Sequence, residues 1–340
     1  MKIGTYNVEW FAGLFDQENQ LLLTNDWSSR RDVTKARQLE AIAEVIRAID
    51  ADCLLIVEAP DTSKTVSTKT SLLNFSEHFG LRLNAVETGF VSDTQQELAL
   101  FYDDRLMTAK HDPKGSLDRE DPAPRFDGQF LRDVDVDDQP EEHVFSKPPL
   151  EVELVWGKGR LLRLIGVHIK SKAPHGAKTR EDEARISIAN RRKQLVQSLW
   201  LRRRVEEHLR DSEDVIVLGD FNDGPGLDAY EKLFGHSSVE VVLGTTNDPK
   251  MKLFDPHAIA RLDPRDTWSP STARFYQHHR KTYLNALLDF IMVSPKIAQN
   301  DPAWKIWHPF DDQNCFKEPT MQQALLDASD HFPVTLEIGD

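Results

Sequence analysis

Long apolar runs and cysteine are what this 340-residue chain most lacks. Nothing in it approaches the roughly 20 consecutive apolar residues that cross a bilayer, so no membrane insertion is expected. The only cysteines, Cys53 and Cys315, are too few for a disulfide framework, and Cys53 lies in an apolar run that reads as buried. The N-terminal MKIGTYNVEWF has no apolar core of an export signal and reads at once as a strand. The cytoplasm is therefore the expected compartment. Neither a G-x-x-x-x-G-K-[ST] phosphate loop nor a G-x-S-x-G nucleophile elbow occurs, and there is no internal repeat. Positive charge is short as well: 42 Lys and Arg stand against 56 Asp and Glu, a formal net charge of −14. Such a protein is repelled at long range by nucleic acid and by anionic membranes. A phosphate-bearing substrate would have to be met by a local positive patch or by metal ions.

What is present is an ordinary globular balance, 39% hydrophobic and 29% charged, which excludes a coiled coil, a collagen-like repeat and a wholly disordered chain. Short apolar runs at 1–8, 53–57, 98–102, 152–156, 161–167, 215–218 and 288–293 read as strands. Residues 31–50 carry a helical stripe of Leu39, Ile42, Ala43, Val45, Ile46 and Ile49. A long helix is predicted over 181–209, with Ile188, Leu195, Leu199 and Val205 facing in and the arginines facing out. That helix lies in a basic stretch, 158–210, containing Arg191-Arg192-Lys193 and Arg202-Arg203-Arg204. The stretch is either a solvated helix face or a surface for a polyanion. The stretch 103–142 is acidic, with Asp133, Asp135, Asp137 and Asp138 close together. A single domain over 1–340 is expected, with long loop insertions near 103–149 and 247–283 that shape specificity.

Several strands finish in polar residues that propensity does not explain. The first delivers Asn7 and Glu9 (TYNVEW), and CLLIV runs into Glu58 (IVEAP). The 161–167 strand ends in His168, followed by Lys170 (VHIKSK). The 215–218 strand runs into Asp220, Asn222 and Asp223 (GDFND). Asp289 opens LLDFIMVS, and Asp330 and His331 stand in SDHFPV. Each alone reads as easily as a turn residue, a cap or a satisfied structural side chain. Together they supply oxygen ligands and two imidazoles. Hard oxygen donors without a cysteine cluster suit Mg²⁺ or Mn²⁺ rather than zinc.

In this order the six motifs resemble the endonuclease/exonuclease/phosphatase, or DNase I-like, superfamily, from Tyr6-Asn7 to His331. The resemblance implies an α/β fold: a four-layered α/β/β/α sandwich, two mixed β-sheets packed face to face with outer helices. It implies that Glu58 is the principal metal carboxylate and that Asn7 sits beside both metal and scissile phosphate. Asp220 would hold or activate the attacking water, Asn222 would orient it, and both would lie within reach of the metal. Asp330 would be a second metal-side carboxylate. His331 would contact the phosphate while hydrogen-bonded to Asp289. His168 matches the histidine of the DNase I, sphingomyelinase and bacterial extracellular nuclease branches. Glu97 is the candidate polar partner for that histidine, and Lys170 is placed for a substrate phosphate. One departure is Val57-Glu58-Ala59, where the family usually has Gln-Glu-Val. The implied activity is metal-dependent phosphodiester hydrolysis on DNA or RNA. A small phosphoester, such as an inositol phosphate or a phospholipid headgroup, is the alternative substrate, and a catalytically silent binding module is a third reading. No obligate protein partner is evident.

Overall fold

Two sheets are built from the apolar runs, and the alternation within each run decides which face is buried. The computed structural model describes residues 1–339 apart from 92–96, 119, 134–139, 175, 226–234, 264, 266–267 and 278–280. The first sheet holds Lys2–Asn7 (β1), Cys53–Ala59 (β2), Ala85–Thr88 (β3), Glu97–Tyr102 (β4), Ala303–Ile306 (β14) and Val334–Glu337 (β15). Its strand order is β14-β15-β1-β2-β4-β3. The second holds Met107–His111 (β5), Leu150–Trp156 (β8), Arg160–His168 (β9), Val215–Asp220 (β10) and Asp289–Val293 (β13), ordered β13-β10-β9-β8-β5. Phe130–Arg132 (β6) pairs with Glu141–His143 (β7), and Ala273–Gln277 (β11) with Thr282–Ala286 (β12), as two separate hairpins. The pairs β1–β2 and β9–β10 run parallel and the other described pairs antiparallel, so both sheets are mixed.

Ile3, Leu55, Val57 and Leu100 of the first sheet bury against Val152, Leu164, Leu218 and Ile291 of the second. Each such side chain contributes about 1.5–3 kcal/mol on leaving water. The alternate residues Tyr6, Leu54 and Ile56 pack outward on the helices Lys35–Ile49 (α1), Thr68–Phe79 (α2) and Pro319–Ala328. On the other side Ile165, Val167 and Val217 meet Val196, Trp200 and Val205 of Arg180–Arg210 (α3). The result is the expected four-layered α/β/β/α sandwich.

Helix α3 forms where its sequence says, with Thr179 as N-cap, three acidic residues in its first turn and His208 and Arg210 in its last. Of the four apolar residues expected to face in, Val205 is buried, but the inward face of the helix also carries arginines that were expected to face out. Arg191, Arg202 and Arg204 are buried, whereas Ile188, Leu195 and Leu199 are only half-buried. The guanidinium groups serve as donors to backbone carbonyls of loops and of short-helix ends. Arg202 donates to the carbonyls of Val242, Leu243 and Met251, and Arg204 to those of Lys114 and Ala123. Loops that cross a helix bring unpaired carbonyls, and a five-donor fork satisfies several at once.

The two segments expected as loops also contain regular structure. Residues 103–149 hold β5 and the β6–β7 hairpin, whose neighbours Phe126, Phe130 and Phe145 pack on Trp200. In 247–283 lie the helix Pro256–Leu262 and β11. Asp135, Asp137 and Asp138 lie outside the described residues. Among the described residues no helix is long and apolar enough to cross a membrane.

Candidate active site

The same alternation that builds the core delivers polar residues to one end of it. Ile3 of β1 faces the other sheet, so Asn7, four residues on, faces the same way. Leu162 and Leu164 place His168, Ile216 and Leu218 place Asp220, and Ile291 and Val293 place Asp289. His168, Asp220 and Asp289 are cross-strand neighbours in one row of the second sheet. At Gly219 the backbone takes φ 133°, and a Cβ would lie 2.0 Å from the Val167 carbonyl oxygen, so only glycine fits before Asp220.

Glu58 reaches this place by another route. Its parity on β2 would send it with Ile56 toward the helices. A bulge between Val57 and Ala59, with Glu58 at φ 61°, breaks the register. Bulges of this kind re-aim a side chain at the cost of about 1–2 kcal/mol of backbone strain. Trp10, at φ 56°, is equally strained, and its N–H donates to Glu58 Oε2 at 3.1 Å. Asp330 and His331 arrive on the turn before β15, where Ser329 Oγ donates to the Asn7 carbonyl and accepts from the His331 N–H.

These residues line one cleft of about 820 Å³. Asn7, Glu58, His168, Lys170, Asp220, Asn222, Asp330 and His331 all face it, and Asp289 stands behind His331. Asp220 is held by amides. Oδ2 accepts from Asn7 Nδ2 at 3.0 Å and from Asn222 Nδ2 at 3.1 Å, while Oδ1 accepts from the Asn222 N–H at 2.7 Å. Burial pushes its carboxyl up to about 7, against the pull of the His331 cation. His331 donates from Nδ1 to Asp289 Oδ2 at 2.8 Å. Burial would lower its proton affinity, but the Asp289 carboxylate, with Asp220 and Asp330, holds it well above the ordinary histidine value. His168 goes the other way, driven down by burial and then by Lys147. Burial also raises Glu58, and it pushes Glu9, beside Asp330 and ion-paired to Arg30 at 2.9 Å, to about 7.

Donor atoms of Asp220, Asp289 and His331 come within 4.8 Å of one another. In that trio His331 Nδ1 is already committed to Asp289 Oδ2, while Asp220 is held by Asn7 and Asn222. The better fit for a divalent ion is the oxygen-only side of the cleft, with Glu58, Asp330 and Asn7. Asn7 Oδ1 is buried with no hydrogen-bond partner among the described residues, because its Nδ2 is committed to Asp220. An unpaired buried carbonyl beside two carboxylates suits a hard cation.

Several cleft residues were given no role in the sequence reading. Lys147 precedes two prolines and belongs to no motif. Trp10 closes the TYNVEW motif but was given no role, and Phe275 sits on the β11–β12 hairpin, within a segment expected as loop. The group reaching His168 Nδ1 is Lys147 Nζ, at 3.1 Å, where Glu97 was expected.

Among solved structures, an endonuclease/exonuclease/phosphatase family protein from Bacteroides thetaiotaomicron superposes with a TM-score of 0.52 at 14% identity, over 99% of this chain and 94% of that one. Truncated Caenorhabditis elegans TDP2 gives 0.50 at 13% identity, over 100% and 97%. A D. rerio TDP2 humanized by 14 mutations gives 0.50 at 12% identity, over 100% and 99%. Identities this low speak for the fold alone. No curated protein matches the sequence. The family model for endonucleases, exonucleases and phosphatases matches residues 4–331, and the chain belongs to that family.

Proposed function

We propose that this protein is a divalent-metal-dependent phosphodiesterase and that its substrate is a strand of DNA or RNA. The observation that carries the reading is the pairing, in one cleft, of a buried carboxylate oriented by two amides with an imidazole hydrogen-bonded to a second carboxylate. Phosphodiester cleavage needs both, because water is a poor nucleophile and negative charge grows on the phosphate oxygens.

Asp220 would take the proton of the attacking water at Oδ1, whose only described partner is the Asn222 N–H. Base catalysis of this type contributes about 10²–10⁴-fold. Asn7 and Asn222 fix the carboxylate plane. His331, with Nδ1 committed to Asp289, offers Nε2–H to the phosphate, and His168 and Lys170 add donors from the second sheet. Glu58, Asp330 and Asn7 Oδ1 would hold Mg²⁺ or Mn²⁺, which neutralises phosphate charge and stabilises the leaving oxygen.

The alternative substrate, a small phosphoester, is favoured by one observation. Of the arginines of α3, Arg191, Arg202 and Arg204 are buried in the fold and none lines the cleft, whose lysines are Lys147, Lys170 and Lys172. A panel of single- and double-stranded DNA, RNA, an inositol phosphate and a phospholipid headgroup ester, with Mg²⁺, Mn²⁺ or chelator, separates the readings. The expected result is metal-dependent cleavage of nucleic acid, with a shallow salt slope of roughly −1.4 to −2.7 for two or three phosphate contacts. Turnover of the small esters alone would establish the second reading, and no metal-dependent turnover at all would remove both.

A further inference from the structure

We propose that Lys147 is a positioning residue that locks His168 as the neutral Nε2–H tautomer, and so decides which ring nitrogen offers a proton to the substrate. The proposal rests on the phosphodiesterase reading for its consequence, though not for its geometry.

His168 closes β9 with its ring buried at 7% exposure. Lys147 Nζ lies 3.1 Å from its Nδ1. An ammonium has three donors and no acceptor, so the nitrogen facing it must carry the lone pair. The single ring proton then sits on Nε2. That nitrogen is 3.7 Å from Asp220 Oδ2, too far for a hydrogen bond. The N–H is thus next to the proposed base without being spent on it, in the cleft that Lys147 also lines.

The second cleft histidine shows what a carboxylate would have done instead. At His331 the group on Nδ1 is Asp289 Oδ2, an acceptor at 2.8 Å, which demands a proton on Nδ1 and favours the doubly protonated ring. Two imidazoles facing one cleft therefore carry opposite instructions, written by the sign of the charge on Nδ1. Glu97, the carboxylate that the sequence suggested for His168, shares a small cavity with Lys147, Pro148 and Leu150. The residue that reaches the ring is the lysine.

The test is a long-range ¹H–¹⁵N correlation spectrum of the full-length protein labelled at histidine, with His168 assigned from the His168→Gln spectrum. The expected wild-type pattern is an Nε2–H tautomer for His168. An Nδ1–H tautomer or an imidazolium at neutral pH would overturn the proposal whether or not any variant folds. Lys147→Met should mix or invert the tautomer and lower kcat about 10- to 100-fold with less change in KM, the usual size for losing a group that orients another. Lys147→Arg should restore both the spectrum and most of kcat. A Lys147→Met protein with an unchanged His168 spectrum and only a raised KM would show a lysine that merely binds phosphate, and the proposal would fall. Because the spectrum needs no substrate, it decides the matter even if the phosphodiesterase reading fails.

Discussion

In the proposed mechanism Asp289 acts through the charge of His331. Replacing it with asparagine keeps the shape on β13 and removes the carboxylate that holds His331 protonated. The ring would then follow its burial and lose its cation. Removing one such donor from a developing charge costs about 10²–10³-fold. Asp289→Asn is therefore expected to lower kcat by that order with a melting temperature near wild type, measured by steady-state kinetics and circular dichroism. A loss of less than about threefold would take the His331 cation out of the chemistry. At this scale the sequence was informative wherever a polar residue ended an apolar run, because parity carries the core face straight into the cleft. Asn7, His168, Asp220 and Asp289 were legible for that reason. Glu58 was legible only by its motif, since its own parity points the wrong way and a bulge corrects it. Lys147 left no trace, because a lysine before two prolines in a loop carries neither periodicity nor spacing.

The polar face of α3 fastens the turns that follow β9 and β10. Gln194 Nε2 donates to the carbonyls of Lys170 and Asn222, and Gln197 Oε1 accepts from the Lys170 N–H. Arg191 donates to Asp223, which also accepts from Lys172 at 2.5 Å and from the Ser238 N–H at 2.7 Å. The loops after β9 and β10, which carry His168 and Asp220, are thereby tied to one rigid helix. Farther along, Arg204 is buried beside Glu151 at 3.1 Å, and burial lifts that carboxyl to about 7 despite the guanidinium. Arg204→Ala removes the cation beside Glu151 and the donor to the Lys114 and Ala123 carbonyls. Chemical denaturation should show a loss of about 3–5 kcal/mol. A loss under 1 kcal/mol would mean that Arg204 is the solvated arginine its sequence suggested. Periodicity located the helix correctly but misjudged its inner face. A hydrophobicity pattern assumes that helices bury themselves against side chains, and here they bury against loop carbonyls that no pattern reports.

For the whole molecule, the sheet order and the layering depend on pairings between distant strands, such as β1 with β15, and reading them required the family resemblance as well as the apolar runs. The distribution of buried acids has a global consequence. Burial pushes Glu9, Glu151, Asp220 and Asp255 each to about 7, so these groups favour the folded state most when protonated. Their contribution is full below the unfolded carboxylate range and is lost as pH rises through about 7. Asp103, ion-paired to Arg105 and held near 2, acts in the opposite sense and loses its contribution as pH falls from about 4 toward 2. Without metal, the four raised carboxyls should lower the melting temperature as pH rises from about 5 to 8, partly offset by His168 and His257, whose proton affinity burial lowers. Mn²⁺ should raise it more at pH 8 than at pH 5, because only ionised cleft carboxylates hold the ion. Thermal melts at the two pH values, with and without Mn²⁺, measure this, and an equal shift at both would place the ion elsewhere.

The most direct single measurement is single-turnover cleavage of a labelled oligonucleotide by wild-type protein and by Asp220→Asn, at matched and saturating Mn²⁺. The expected result is a rate lower by about 10²–10⁴-fold in the variant, with an unchanged fold by circular dichroism. Rates equal within a few-fold would contradict a mechanism in which the amide-held carboxylate between the two sheets activates the water.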